Sequence, residues 1–487
     1  MNADRGALAL VLHAHMPYVE GFGTWPFGEE WLWEAVAAVY LPLLAVLEAA
    51  PGGAPVTVGL TPVLCDQLEA MRDGEPGERF LAYLREVKTT VHAEDEDALE
   101  RDGQGEAAAE LRRAAADYTW ASEEWERRGG NLLVAFGALE GAELWSSSAT
   151  HAILPLLATD AGVRLQMETG LASHRRRFGE FGGGFWLPEC AYEPGLEAEL
   201  ADAGVRAFCV EQTASLGLGA LDHLEPIATA AGPVAVPIDW ATVELVWQGA
   251  EAYPGAGAYR DHHRRTSLDL RPWSIDGPPY DRPRAEALAR EHARDFVERV
   301  LRRLDGYSAA RGRPGLVCCA LDAELLGHWW YEGPVWLAAV LEEARLQGLR
   351  LATLPHALER VEAVERPLAA STWGANGDLS TWDGPAVASF TAEARRAELR
   401  VTAAARRATA RPALARAARE LLGLQAGDWA FAATRVVAGN YPIERSRIHL
   451  LGLTTALDAA FAGKGPQPEP AVRGLAPDLD LSVLTVP

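Results

Sequence analysis

The stretch LVCCALDAE (316–324) is an apolar run that ends abruptly in two carboxylates. Uninterrupted apolar runs of this kind are typical of parallel strands that are buried on both faces. Six further runs of the same character lie at about 8–13, 56–60, 142–147, 183–187, 206–210 and 350–353. Most of these runs are followed by a turn and a helical pattern, and this alternation predicts an α/β fold, either a barrel or an open doubly wound sheet.

The alternation is interrupted in two places. Residues 77–128 are rich in Glu, Arg and Ala and predict helices inserted between the second and third strands, whereas the Pro-, Gly-, Tyr- and Trp-rich residues 239–282 predict a long functional loop. From 386 to 465 the pattern is helical throughout. We therefore expect a catalytic domain over 1–385, a C-terminal helical domain over 386–465 and a Pro-rich tail over 466–487 that crosses the surface.

Composition excludes several classes of function. The 487 residues carry a formal net charge of −23, which disfavours binding to nucleic acid or to anionic membranes. No apolar run in the sequence approaches the length of about 18 residues that a membrane span needs. The five cysteines form no CxxC pair, as expected for reduced thiols, and indicate a cytoplasmic protein. Whether the protein is a monomer or a homodimer stays open.

Ionisable residues follow five of the predicted strands. The first strand ends in His13 and His15, the third leads to His151, and the fourth to Glu189. The fifth strand leads to Glu211, and the sixth to Asp322 and Glu324. Because barrel enzymes build their active sites from the carboxyl ends of different strands, these residues are candidates for a shared site.

Glu189 and Asp322 form a candidate carboxylate pair. A capping role for Glu189 or a structural salt bridge for Asp322 would also explain a carboxylate at these positions. Glycoside chemistry requires two carboxylates, one that attacks the anomeric carbon and one that protonates the leaving oxygen. The pair therefore favours an enzyme that acts on glycosidic bonds.

His13 and His15 allow another interpretation. Side chains two residues apart on a strand face the same way, so both can ligate Zn²⁺ or another divalent metal. With His151 and Asp322 they would form the site of a metal-dependent amidohydrolase or deacetylase. Hydrogen bonding to sugar hydroxyls, or burial in the core, explains the same histidines, and their spacing leaves the three possibilities open.

Tryptophan is unusually abundant, with 16 Trp against 12 Phe and 11 Tyr. The flat faces of indole rings suit the C–H faces of a sugar. Twelve lie within or beside the loops just described: Trp25, Trp31, Trp33, Trp186, Trp240, Trp247, Trp273, Trp329, Trp330, Trp336, Trp373 and Trp382. We expect about a third of these to be core residues and the others to favour a sugar-binding groove.

Six segments resemble, in chain order, the motifs of glycoside hydrolase family 57: HAHMPY (13–18), TWPFGEEWLW (24–33), ATHAILPLL (149–157), FWLPECAYEPGL (185–196), ALDAELLGHWWYEGPVWL (320–337) and STWGANGDLSTW (371–382). DWAFAATRVVAGNYPIERSRIHL (428–450) resembles the C-terminal helical domain of the branching enzymes in this family. The resemblance is strongest to the 1,4-α-glucan branching enzyme group.

The resemblance implies a (β/α)7 barrel with an inserted helical segment and a C-terminal helical domain. It implies a retaining transglycosylase without metal or cofactor, in which Glu189 is the nucleophile and Asp322 the general acid and base. Tyr253, with Tyr259 as second choice, would lie on a loop that shields the site from water. The implied substrate-binding residues are His13, His15, Trp25, His151, Trp273, Glu324, His328, Trp373, Trp382, Asp428 and Trp429.

The function implied is cleavage of α-1,4 links in a glycogen-like glucan and transfer of the chain to a 6-hydroxyl, which forms α-1,6 branches. Alternatives within the family are an α-amylase and a 4-α-glucanotransferase. Outside it, a metal-dependent deacetylase and a catalytically inactive glucan-binding protein remain to be distinguished, although the presence of both Glu189 and Asp322 argues against the latter.

Overall fold

The computed structural model describes residues 5–24, 27–72, 74–247, 249, 251–466 and 474–485. Within these residues one sheet contains nine strands: β1 Gly6–Ala14, β2 Thr57–Leu60, β3 Glu143–Ser147, β4 Gly184–Trp186, β5 Ala207–Val210, β6 Ile227–Ala228, β7 Val234–Pro237, β8 Gly315–Asp322 and β9 Val364–Glu365. Their order is β8-β1-β2-β3-β4-β5-β7-β6-β9. Every pair from β8 to β7 is parallel, and β6 is antiparallel to β7.

The seven parallel strands curl into a barrel. The backbone N–H of Asp239, just beyond β7, donates to the carbonyl of Cys318 in β8 over 2.8 Å, so the two ends of the parallel run meet. Inside the barrel the Sγ atoms of Cys209 and Cys318 lie 4.0 Å apart. The fold is therefore the (β/α)7 barrel that the family resemblance implies.

One predicted strand is wrong. Residues 350–353 do not form a regular strand, because Leu351 makes a single parallel bridge to Leu8 and a helix begins at Leu354. The seventh parallel strand is instead β7, which was not among the predicted runs. It follows Pro233 and ends in Pro237, and proline in a short apolar run argues against a strand.

Helices surround the barrel and extend it. Those of the N-terminal half are α1 Glu29–Ala35, α2 Leu41–Glu48, α3 Pro62–Arg72, α4 Glu75–Ala82, α5 Lys88–Arg101, α6 Gly105–Arg127, α7 Leu132–Gly137, α8 Asp160–Phe178, α9 Leu196–Asp202, α10 Thr213–Leu216 and α11 Trp240–Val243. The later helices are α12 Arg282–Arg311, α13 Gly333–Gln347, α14 Leu354–Leu358, α15 Ser380–Asp383, α16 Ala388–Ala405, α17 Arg411–Leu424, α18 Gly427–Arg435 and α19 Tyr441–Phe461. Helices α4 to α6 occupy the connection between β2 and β3.

Helices α1 and α2 are joined by a π-helical turn into one continuous helix, Glu29–Glu48. Contrary to the expectation from the sequence, this helix is long and apolar enough to span a membrane, with a mean hydropathy of 1.5 over its best 18-residue window. However, 61% of that window is buried inside the protein, as in a core helix.

The C-terminal helices share a core with the barrel. Leu414, Leu421 and Leu453 of this region cluster with Tyr18 and Leu165, which belong to the catalytic region. The final described segment, 474–485, was expected to cross the surface, but four of its side chains are buried in this cluster: Leu475, Ala476, Leu481 and Leu484. Their apolar contacts fix the segment against the helices.

Candidate active site

The predicted strand-end residues meet at one end of the barrel. Asp322 is the last residue of β8 and pairs in register with His13 of β1. His151 follows β3, and Glu189 lies in the 3₁₀ turn that follows β4. Because these strands are parallel neighbours, their carboxyl ends place the four side chains around one site.

Glu189 is held in an unusual backbone conformation. Its φ of 57° and ψ of 23° lie in the left-handed region, which few non-glycine residues adopt and which is enriched at functional sites. The indole N–H of Trp373 donates to Glu189 Oε2 over 3.0 Å, and the backbone N–H of Trp373 donates to the carbonyl of Glu189 over 3.0 Å. These two bonds fix both the turn and the carboxylate.

The two carboxylates share a buried, repulsive environment. Burial, followed by the charge of Asp322, raises the pKa of Glu189 to about 8. Burial raises the pKa of Asp322 to about 6, although the charge of His15 opposes this rise. The pair therefore holds one proton near neutral pH, the condition in which one carboxylate can attack and the other can donate a proton.

Three histidines form a stacked cluster beside the carboxylates. His13 Nε2 lies 3.1 Å from His151 Nε2, and the rings of His15 and His151 stack with centroids 3.9 Å apart. Burial and the charge of His15 lower the pKa of both His13 and His151 well below the ordinary value. His13 and His151 are therefore neutral and can donate or accept hydrogen bonds from sugar hydroxyls.

His15 differs because a carboxylate from the C-terminal helices reaches it. Its Nε2 lies 2.8 Å from Asp428 Oδ1, and its Nδ1 lies 3.1 Å from Thr61 Oγ1. Burial would lower the pKa of His15, but the attraction and hydrogen bond of Asp428 raise it above the ordinary value. Helix α18 thus completes a site whose other groups come from the barrel.

Glu324 supports the first strand end. Its Oε1 accepts a 3.0 Å bond from the backbone N–H of His15 and a 2.5 Å bond from the hydroxyl of Tyr40. Burial and the nearby Asp322 raise the pKa of Glu324 to about 7. In this structure Glu324 positions the loop that carries His15.

Comparison with known proteins identifies the class of this site. Residues 9–238 match the model of glycosyl hydrolase family 57. A 1,4-alpha-glucan branching enzyme of Thermococcus kodakarensis is 33% identical, covering 91% of this chain and 72% of the relative. The chain belongs to glycosyl hydrolase family 57.

Two further relatives span nearly the whole chain. A probable 1,4-alpha-glucan branching enzyme of Mycobacterium tuberculosis is 33% identical over 94% of this chain and 93% of its own length. The crystal structure of a family 57 branching enzyme from Pyrococcus horikoshii superposes with a TM-score of 0.89 at 30% identity, covering 99% of this chain and 97% of that chain. The similarity to these family 57 proteins includes the C-terminal helices.

Several aromatic residues that the family resemblance placed in the groove are core residues here. Trp382 is 1% exposed and packs with Ile153 and Ala430. Trp429 is buried, and its indole N–H donates to the carbonyl of Gly423 over 2.7 Å. Neither side chain lies open to a sugar in this conformation.

Trp273 and His328 also lie away from the carboxylates. Trp273 is buried among residues of the inserted helices, including Leu99 and Leu111. His328 packs against Trp329, with ring centroids 5.0 Å apart. Trp25 lies outside the described residues. Of the predicted aromatic ligands, the structure brings Trp373 to Glu189.

Tyr253 is not brought to the site either. Its hydroxyl donates to Asp295 over 2.7 Å, and its ring stacks on His292 at 4.5 Å, so both contacts are with α12. The second choice, Tyr259, also contacts His292, with its hydroxyl 2.8 Å from Nδ1. The aromatic residue of this loop that approaches the nucleophile is Trp247, whose ring centroid lies 6.0 Å from that of Trp373.

The tryptophan excess reflects packing more than the sequence suggested. About a third of the tryptophans near the loops were expected to be core residues. Of the eleven described ones, six are buried: Trp33, Trp186, Trp273, Trp330, Trp336 and Trp382. Indole rings fill a large barrel core efficiently because each buries a large apolar area. An excess of tryptophan by itself therefore does not define a groove.

Sequence reasoning missed two polar residues of the site. Thr61 directly follows β2, so the strand-end rule that found the other residues also applies to it. Tyr40 lies in the apolar π-helical turn, where its neighbours Val39 and Leu41 give no polar signal.

The histidine cluster also has the composition of a metal site, but with a different set of residues from that predicted. Ligand atoms of His15, His151 and Asp428 all lie within 4.8 Å of one another. His13 bonds to His151 instead of facing this group. The arrangement expected for a deacetylase, with His13 and Asp322 as ligands, is therefore not the one that the fold assembles.

Proposed function

We propose that this family 57 protein is a 1,4-α-glucan branching enzyme that retains the anomeric configuration. The observation that carries the proposal is the buried pair of Glu189 and Asp322, which together hold one proton near neutral pH. The named branching enzymes to which the chain is similar over more than nine-tenths of its length support the substrate and the reaction.

In the first half-reaction, Glu189 attacks the anomeric carbon of an α-1,4-linked glucose and Asp322 gives a proton to the departing glycosidic oxygen. A bond forms between a Glu189 oxygen and the sugar, and the α-1,4 bond breaks. In the second half, ionised Asp322 takes the proton of a 6-hydroxyl, whose oxygen displaces Glu189. Two inversions give net retention and an α-1,6 branch.

In the free enzyme Glu189 has the higher pKa of the two carboxylates, whereas these roles require the higher pKa on Asp322. The indole N–H of Trp373 favours the anion of Glu189, whereas no side-chain or backbone donor reaches Asp322 from the described part of the chain. A bound glycosidic oxygen supplies the acceptor that Asp322 lacks. Substrate therefore draws the shared proton onto Asp322 and leaves Glu189 ionised.

Branching further requires that an acceptor glucan, and not water at about 55 M, reaches the intermediate. Trp247 lies in the long loop (239–282), and its ring packs against that of Trp373, which donates to Glu189. Closure of this loop would therefore change the position of the Glu189 carboxylate through the rings of Trp247 and Trp373. Tyr253 acts in such closure only if it leaves its contacts with α12.

We place the enzyme in the cytoplasm, acting on a glycogen-like glucan. All five cysteines are free and buried, as expected for a reducing compartment. A neutral polysaccharide needs no electrostatic attraction, so the charge of −23 serves solubility. Light scattering after gel filtration would decide between monomer and homodimer.

The test is incubation with amylose, followed by enzymatic debranching and chain-length analysis of the product. A branching enzyme yields new α-1,6-linked chains and loss of iodine staining without a matching rise in reducing ends. A rise in reducing ends indicates an α-amylase, and new chain lengths without branches indicate a 4-α-glucanotransferase. Glu193→Gln, which changes an exposed carboxylate near the nucleophile, is the matched control for Glu189→Gln.

A further inference from the structure

The cluster of His15, His151 and Asp428 has donor atoms arranged around a common point. His15 Nε2 and Asp428 Oδ1 are 2.8 Å apart, and His151 Nδ1 lies 4.0 Å from Glu189 Oε1. All four side chains are at least three-quarters buried. The two imidazole nitrogens and the carboxylate oxygen of Asp428 form a donor set suited to Zn²⁺ and similar divalent ions.

The outer nitrogen of each imidazole is already oriented. His15 Nδ1 lies 3.1 Å from Thr61 Oγ1, and His151 Nε2 lies 3.1 Å from His13 Nε2. Metal-binding histidines almost always donate their second N–H in this way, which fixes the ring and directs the other nitrogen to the ion. Here both second-ring contacts leave His15 Nε2 and His151 Nδ1 facing the carboxylates.

The carboxylate of Asp428 provides a further indication of a ligand. Its Oδ2 is buried and has no hydrogen-bond partner among the described residues, while Oδ1 contacts His15. A buried carboxylate oxygen without a donor is costly unless a cation or a ligand hydroxyl satisfies it. Asp322 and Glu324 add negative charge close by, which favours a cation.

We propose that His15, His151 and Asp428 form a binding site for one Zn²⁺ ion beside Glu189, and that the ion excludes the glucan. In tetrahedral zinc sites with bond lengths near 2.1 Å, neighbouring ligand atoms lie about 3.4 Å apart. The His15–Asp428 pair would have to open by about 0.6 Å, and the pairs with His151, which lie within 4.8 Å, to close by at most about 1.4 Å.

Two consequences follow for activity, and they rest on the proposed function. Zinc held by His15 and His151 lies next to Glu189, in the space that the reacting sugar needs, so zinc inhibits. Because zinc and the sugar occupy the same groups, inhibition raises KM for the glucan and leaves kcat unchanged at saturating substrate.

The binding test uses the full chain, freed of metal, and ZnCl₂ as the only ligand in isothermal titration calorimetry. We expect one ion per chain. Asp428→Asn keeps the size of the side chain but removes its charge, and we expect at least about tenfold weaker binding. Thr61→Val removes the partner of His15 Nδ1 and provides a second, milder variant with a loss of the same direction.

His263→Ala is the matched control, because His263 is an exposed histidine outside the site whose ring packs on His262. Its zinc affinity should equal that of the wild type. Thermal unfolding of each variant in the absence of zinc shows whether it is folded. A folded Thr61→Val variant keeps the test decisive if Asp428→Asn does not fold.

The proposal is overturned if no zinc binds at about 1 mM, if folded variants of Asp428 and Thr61 bind zinc as the wild type does, or if His263→Ala abolishes binding. Calorimetry involves no glucan, so zinc binding without branching activity would refute the proposed function and leave the site standing. Branching activity that zinc inhibits without any rise in KM would refute the shared occupancy.

Discussion

Glu189→Gln distinguishes the effect of the nucleophile on stability from its effect on catalysis. Gln has the same size as Glu, and its amide oxygen can still accept the N–H of Trp373. The substitution removes a negative charge that burial and Asp322 make unfavourable. We therefore expect a variant that is inactive and, at alkaline pH, more stable than the wild type.

The magnitude follows from the pKa. A rise of the Glu189 pKa from 4.5 to about 8 corresponds to a destabilisation of the folded protein by about 5 kcal/mol once Glu189 is ionised in both states. A carboxyl group whose folded-state pKa is raised has no such cost below pH 4.5. The cost grows as the pH rises and is complete above about pH 8.

The assay is thermal unfolding of wild type, Glu189→Gln and the exposed control Glu193→Gln at pH 5 and pH 9. For a chain of this length, about 5 kcal/mol corresponds to about 5 °C in Tm if unfolding is cooperative. We expect the Glu189 variant to match the wild type within about 1 °C at pH 5 and to exceed it by several degrees at pH 9. Branching activity should fall by at least about 10³.

Two results would refute this reasoning. An equal Tm difference at both pH values would mean that Glu189 does not carry a raised pKa in the folded protein. Retention of near-normal activity by Glu189→Gln would mean that Glu189 is not the nucleophile, whatever its effect on stability.

Four other predictions follow from the same site. The pH profile of kcat/KM should be bell-shaped, with limbs near pH 6 and pH 8, because below the range both carboxylates are protonated and above it both are ionised. Trp373→Phe removes the N–H donor that lowers the pKa of Glu189, so initial rates should fall about tenfold and the profile should move to higher pH. Trp382→Ala should lower the free energy of unfolding, measured in urea, by about 3–5 kcal/mol, because the ring is buried. EDTA should leave the branching rate unchanged, because Glu189 and Asp322 supply both the nucleophile and the acid, and a loss of activity on chelation would favour a metal-dependent hydrolase.

The parallel strands were predictable because their side chains are buried on both faces. In β8, seven of eight residues are buried, and the apolar run in the sequence coincides with the strand. The same signal fails for β7, which follows one proline and ends in another, and it overpredicts 350–353, where Leu351 forms one bridge. The signal therefore fails where prolines bound the run and where only one residue of the run pairs with a strand.

The strand-end residues of the site were predictable for a topological reason. Parallel strands of a barrel all end on one face, so His13, His151, Glu189 and Asp322 meet without any knowledge of loop structure. Loop residues follow no such rule. Tyr253 was placed at the site by its motif, but the structure pairs it with Asp295 on α12, a partner that only tertiary packing selects.

Asp428 links the strand ends of the barrel to the C-terminal helices. It belongs to α18, in the region that the sequence describes as a separate helical domain, yet it sets the charge of His15 on β1. The core beneath this contact contains Tyr18 from the barrel together with Leu421 and Leu453 from the helices. A chain that ended near residue 386 would lose both the carboxylate that charges His15 and the apolar surface that covers the barrel. The helices are therefore part of the catalytic unit, because the charge of His15 acts on Glu189 and Asp322 directly.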